Sequence, residues 1–160
     1  MPLIELETHI YAPIDICFDL SRSIDLHTHS TKHTGEQAVA GVTSGLIGLG
    51  ESVTWRAKHF GVWQSLTSKI TAYNRPYAFT DEMVKGAFKS FKHEHCFKQV
   101  DQKTLMKDYF LFISPLGILG NLANALFLTN YMKSLLEERN RVIKAVAESD
   151  EWKHFLIRER

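Results

Sequence analysis

Apolar and polar residues alternate over most of this chain, and the alternation predicts strands. Leu3 to Tyr11 places Ile4, Leu6, Thr8 and Ile10 on one face and Glu5, Glu7 and His9 on the other, as in a half-buried strand. Pro13 then opens a short helix, Pro13 to Leu20, because proline suits a first helical turn. Ser21 or Ser23 caps a second short helix through His27. Thr34 to Ala40 reads as a weak strand. Gly41 to Gly50 is a loop holding Gly41, Gly45, Gly48 and Gly50 together with apolar Leu46, Ile47 and Leu49, a composition that suits a cover over a pocket.

From Glu51 onward the pattern is a run of antiparallel strands joined by tight turns. Phe60-Gly61 sets Trp55 opposite Leu66 and Ala57 opposite Gln64. Asn74-Arg75, followed by Pro76, sets Ile70 opposite Phe79 and Ser68 opposite Asp81. A short loop at Gly86-Ala87 brings Asp81 near His93. Phe88 to Ser114 forms two long strands around Asp101-Gln102, pairing His95 with Asp108, Cys96 with Lys107 and His93 with Phe110. The period of two then sorts the side chains. Val53, Trp55 and Ala57 face inward, as do Gln64, Leu66, Ser68, Ile70 and Ala72 on the next strand. Tyr77, Phe79, Asp81 and Met83 follow, then Phe91, His93, His95 and Phe97, and finally Met106, Asp108, Phe110 and Phe112. Arg56, Lys58, Lys69, Glu82, Lys92 and Lys107 face outward.

A long helix is predicted from Asn121 to Glu148. Leu122, Leu126, Met132, Leu135, Leu136, Arg139, Val142, Ile143 and Val146 recur at three- and four-residue steps. A curved meander and one striped helix bury their apolar faces together when the sheet wraps the helix, leaving a cavity between them. The predicted fold is α+β: a seven-stranded antiparallel sheet around a C-terminal helix, with two short helices after the first strand.

Composition narrows the function. A chain of 160 residues fits one domain, 1–160. A net charge of +1 gives no electrostatic case for nucleic acid. Cys17 and Cys96 lack CxxC spacing and no secretory leader is seen, so reduced thiols and a cytoplasmic location are expected. Tyr109 to Leu128 is uncharged, but Pro115, Gly117, Gly120, Asn121 and Asn124 break it, so a strand, a loop and a helix start are expected there rather than a membrane span. The chain lacks a P-loop, a Gly-x-Gly-x-x-Gly and a Gly-x-Ser-x-Gly.

Local motifs carry a resemblance. They are Ala12-Pro13-Ile14, Phe18-Asp19-Leu20, Asp81-Glu82-Met83, Gly86-Ala87-Phe88, His93-Glu94-His95-Cys96-Phe97, Thr104 through Asp108, and Ser114-Pro115-Leu116-Gly117-Ile118-Leu119-Gly120. In this order they resemble the ligand-binding SRPBCC, or START-like, proteins near the polyketide cyclase/dehydrase group. The resemblance implies the helix-grip fold and a cavity for a hydrophobic ligand. It implies no particular reaction, since the superfamily includes carriers, receptors, co-chaperones and cyclases.

The candidate ligand-binding residues are Trp55, Gln64, Leu66, Ser68, Phe79, Asp81, Met83, Phe91, His93, His95, Met106, Asp108, Phe110, Leu122 and Leu126. The loops Gly41 to Gly50 and Ser114 to Gly120 would gate entry. His93, His95, Asp108 and Asp81 admit several roles. They form a buried polar network, or recognise the polar head of an apolar ligand, or act as acid–base pairs (His95/Asp108 or His93/Asp81) in a cyclase, dehydratase or isomerase. His-x-His with a carboxylate is also chemically sound for metal, but neither a metal nor a cofactor is expected. His27, His29 and His33 read as a solvated loop, with a pocket-rim or metal role as the alternative. Arg139-Asn140-Arg141 reads as a solvated helix face. The expected partner is a small lipid-, isoprenoid-, sterol- or polyketide-like molecule, without nucleic acid or stable membrane insertion. A homodimer is left open. A protein-interaction module acting through the apolar loops is a third reading.

Overall fold

The computed structural model describes residues 1–114, 122 and 127–157. Strand β1 (Leu3–Ile10) leads into α1 (Ile14–Ser21), whose first turn closes with Cys17 N–H donating to the Pro13 carbonyl at 3.2 Å. Ser23 caps α2 (Ile24–Ser30), its Oγ accepting from Leu26 N–H at 3.2 Å. A 3₁₀ turn at Lys32–Thr34 follows, then β2 (Gln37–Gly41), β3 (Ser52–His59), β4 (Val62–Asn74), β5 (Ala78–Lys85), β6 (Ser90–Val100) and β7 (Lys103–Ile113). The chain ends in α3 (Thr129–Ala147) and α4 (Trp152–Leu156). All seven strands form one antiparallel sheet in the order β1-β7-β6-β5-β4-β3-β2.

The turn-derived registers hold for two hairpins. Phe60 (φ 53°) and Gly61 (φ 76°) both take positive φ, as a tight primed turn requires, and Trp55 opposes Leu66. His95 opposes Asp108 and His93 opposes Phe110 across the Asp101-Gln102 turn. The third hairpin differs. Its loop takes three residues, Arg75 to Tyr77, and β4 bulges between Ile70 and Ala72. Ile70 therefore opposes Asp81, Ser68 opposes Met83, and Tyr73 rather than Ile70 opposes Phe79. The bulge turns Tyr73 inward and leaves Ala72 exposed, while Tyr77 sits exposed in the loop rather than on the inner face.

The inner face is covered in two parts. Next to α1 and α2, Phe18 is fully buried and meets Tyr73, Phe79 and Phe97 edge-on at 5.3–5.4 Å. On the other side, Ile4, Phe91, Phe110, Phe112 and Leu136 form a second buried cluster. Between them α3 crosses the sheet. Its described start is Thr129 rather than Asn121; residues 115–121 and 123–126, including Leu126 and most of the Ser114 to Gly120 loop, lie outside the described residues. No helix among the described residues is long and apolar enough to cross a membrane.

Candidate functional site

A cavity of about 530 Å³ lies between the inner face of the sheet and α3, within the usual size range for small-molecule pockets. Trp55, Gln64, Leu66, Ser68 and Phe79 line it, as do Asp81, Phe91, His93, His95 and Phe110. The helix side is closed by Leu128, Met132, Leu135, Leu136 and Arg139. Ile47, from the glycine-rich loop, is buried in the wall. At one end the exposed Phe60 meets Tyr131 at 4.5 Å and Phe127 at 5.3 Å between ring centroids.

Four candidates fall elsewhere. Met106 is covered by α1, where its sulfur takes the Ser21 hydroxyl at 3.5 Å. Met83 packs against the Phe91–Phe110 cluster. Asp108 is fully buried behind the histidines, and Leu122 is 60% exposed.

His93, His95 and the two carboxylates beside them belong to one network. His93 Nε2–H donates to Asp108 Oδ1 at 2.9 Å, and His95 Nε2–H donates to Asp81 Oδ1 at 2.8 Å. These bonds cross the backbone pairing, in which His95 faces Asp108 and His93 faces Asp81. The expected pairs survive as longer contacts, 3.2 Å for His95 Nδ1 to Asp108 and 3.9 Å for His93 Nδ1 to Asp81. The two imidazoles lie against each other with centroids 3.7 Å apart, and Phe79 stacks on His95 at 4.1 Å.

Two members come from the helix. Asn140 Nδ2 donates to Asp108 Oδ2 at 2.6 Å. Arg139 donates to Asp108 Oδ1 at 3.4 Å, Asn140 Oδ1 at 2.8 Å, the Ser21 carbonyl at 3.2 Å and His95 Nδ1 at 3.4 Å. Both are buried, contrary to the solvated face expected of Arg139-Asn140-Arg141; only Arg141 is exposed. The available signal was Arg139's place on the apolar stripe. His27, on the predicted second helix, takes the pocket-rim alternative rather than the solvated loop: it lines the cavity, lies over Trp55 at 4.2 Å and bonds Glu36 at 2.8 Å.

The electrostatics follow from burial and partners. Burial alone would raise the Asp108 carboxyl, but hydrogen bonds from His93 and His95 and the Arg139 charge outweigh it and hold it well below the usual carboxylate range. Asp81 is lowered by the same balance, with His95 as its hydrogen-bond donor. Burial, helped by neighbouring His95, pushes His93 down to about 4. His93 is therefore neutral at pH 7. Its proton sits on Nε2, facing Asp108, and Nδ1 carries a lone pair.

No family model matches the chain, and no curated protein matches it. Solved structures do. A protein of Thermus thermophilus superposes with a TM-score of 0.70 at 16% identity, covering 91% of this chain and 99% of its own. Major latex-like protein 151 of Panax ginseng gives 0.68 at 18%, covering 92% and 98%. Ara h 8.0201 gives 0.65 at 14%, covering 91% and 97%. At these identities the likeness shows the fold, which is the helix grip.

Proposed function

We propose that this chain, acting as one cytoplasmic domain, binds a small hydrophobic molecule of lipid, isoprenoid or polyketide type between the sheet and α3. The observation that carries this reading is a cavity of about 530 Å³ whose wall is mostly aromatic and aliphatic, with Ser68, Asp81, His93 and His95 among the polar groups that line it. An apolar body would lie against Trp55, Leu66, Phe91, Phe110 and Met132. A polar end would meet Ser68, Asp81, His93 and His95. A helix-grip fold with free Cys17 and Cys96 is in keeping with this reading. The test is titration with 1-anilinonaphthalene-8-sulfonate and displacement by fatty acids and isoprenols. Saturable one-to-one binding is expected, and Ala57→Phe, which sends a ring into the cavity, should abolish it without loss of fold. Absence of binding in the wild-type protein, or unchanged binding in Ala57→Phe, contradicts the proposal.

A further inference from the structure

Asp81, His93 and His95 form a group that an apolar ligand does not explain. Asp81 on β5 directly opposes His93 on β6, and His95 follows two residues along the same face. Strand geometry thus delivers three donor atoms to one place, all within 4.8 Å of one another. Asp81 Oδ1 lies 2.8 Å from His95 Nε2 and 3.9 Å from His93 Nδ1. His93 Nδ1 has no hydrogen-bond partner among the described residues, although the side chain is buried. It is turned toward the Asp81 carboxylate across that 3.9 Å gap.

Asp108 stands behind both rings. Its Oδ1 takes the His93 Nε2 proton and lies 3.2 Å from His95 Nδ1. A carboxylate behind a histidine is the usual device for holding an imidazole toward a metal. Asp108 is itself fixed by Asn140 and Arg139.

We propose that Asp81, His93 and His95 bind a divalent transition metal, zinc or ferrous iron, as a two-histidine, one-carboxylate site. Metal–ligand bonds of about 2.0–2.2 Å require donors roughly 3.0–3.4 Å apart, so His93 Nδ1 has to close in on the other two donors when the metal binds. The metal takes the place of the proton on His95 Nε2. That proton passes to Nδ1, which then donates to Asp108 in place of accepting the 3.4 Å contact from Arg139, and the ring stays neutral. The three ligands line the cavity wall, so the remaining coordination positions open into it. An oxygen of a cavity ligand would complete the shell, a clause that rests on the apolar-ligand reading; the metal site itself does not.

The test uses tag-free, chelator-stripped full-length protein. It is titrated with Co²⁺, followed by its visible absorption, and with Zn²⁺ by competition, with bound metal counted by elemental analysis. One equivalent at micromolar affinity or tighter is expected. Asp81→Asn and His93→Gln should each weaken it at least 100-fold with unchanged far-UV circular dichroism, and Asp108→Asn by roughly 10–100-fold. Should His93→Gln fail to fold, Asp81→Asn carries the test. Absence of binding at 100 µM metal overturns the site. So does binding that survives the substitutions, as it would at His27, His29 and His33. Probe binding without metal binding overturns the metal site and leaves the cavity reading standing. Metal binding without probe binding supports the site and overturns the cavity reading.

Discussion

Asp108→Asn is the sharpest perturbation of the buried network. The substitution keeps the shape of the side chain and removes its charge. Asp108 is 0% exposed and accepts from His93 at 2.9 Å, Asn140 at 2.6 Å and Arg139 at 3.4 Å. Replacing Oδ2 by an amino group sets a donor against the Asn140 donor. Flipping the Asn140 amide relieves that clash but gives up the 2.8 Å bond its oxygen accepts from Arg139. Arg139, 6% exposed, loses its nearest counter-charge. Leaving one partner of a buried pair costs about 3–5 kcal/mol. Arg139 keeps the Ser21 carbonyl and the attraction of Asp81, so the lower end, about 3 kcal/mol, is expected. Urea unfolding at pH 7, followed by circular dichroism, should show the midpoint falling by roughly 1–3 M at ordinary slopes. Arg139→Met combined with Asp108→Asn should cost less than the sum of the single changes by at least about 1 kcal/mol, because no charge is then orphaned. A loss below about 1 kcal/mol for Asp108→Asn, or strict additivity in the pair, refutes the reasoning.

Other consequences are as direct. The unfolded chain protonates His93 near 6.5, but the folded chain does so only at about 4. Stability is therefore full above pH 6.5 and falls by about 3 kcal/mol as pH drops to 4, while the shares of Asp81 and Asp108, whose carboxyls are lowered, are lost only below that window. Denaturant titrations across pH 4 to 7 check this, and a flat profile, or an equal slope in His93→Gln, contradicts it. Phe18→Ala empties the contact with Tyr73, Phe79 and Phe97 and should cost about 3–5 kcal/mol by urea unfolding; a loss under about 2 would mean that α1 is not the main cover of this part of the sheet. Gly41 has φ +74°, and an added Cβ would collide with the Ser52 carbonyl oxygen, whereas Gly61 at φ +76° has open space. Thermal melts should show Gly41→Ala losing about 2–3 kcal/mol and Gly61→Ala about 1 kcal/mol; equal losses would rule out the steric argument.

Much of the fold was legible because hairpin turns and the strand period determine one another. With Phe60-Gly61 and Asp101-Gln102 located, the facing residues followed, and Trp55, Leu66, Phe91, His93, His95 and Phe110 all line the cavity. The β4–β5 hairpin was misread because a three-residue loop and a bulge leave no mark in a period-two pattern; the bulge shows only in what it moves, Tyr73 and Ala72. The site was half legible. Cross-strand register put the right histidines beside the right carboxylates, but rotamers decide which nitrogen meets which oxygen, and they crossed the pairs. Arg139 and Asn140 were missed because charged and amide residues on a helix normally face water. Here Asp108, buried on the sheet, gives them a reason to turn in.

The central claim is that the cavity holds an apolar small molecule. Native mass spectrometry, on protein as purified and after incubation with long-chain fatty acids and isoprenols, tests it most directly. The account predicts a one-to-one adduct, released by organic solvent and absent from Ala57→Phe. An unliganded mass in every sample, or the same adduct in Ala57→Phe, would contradict it.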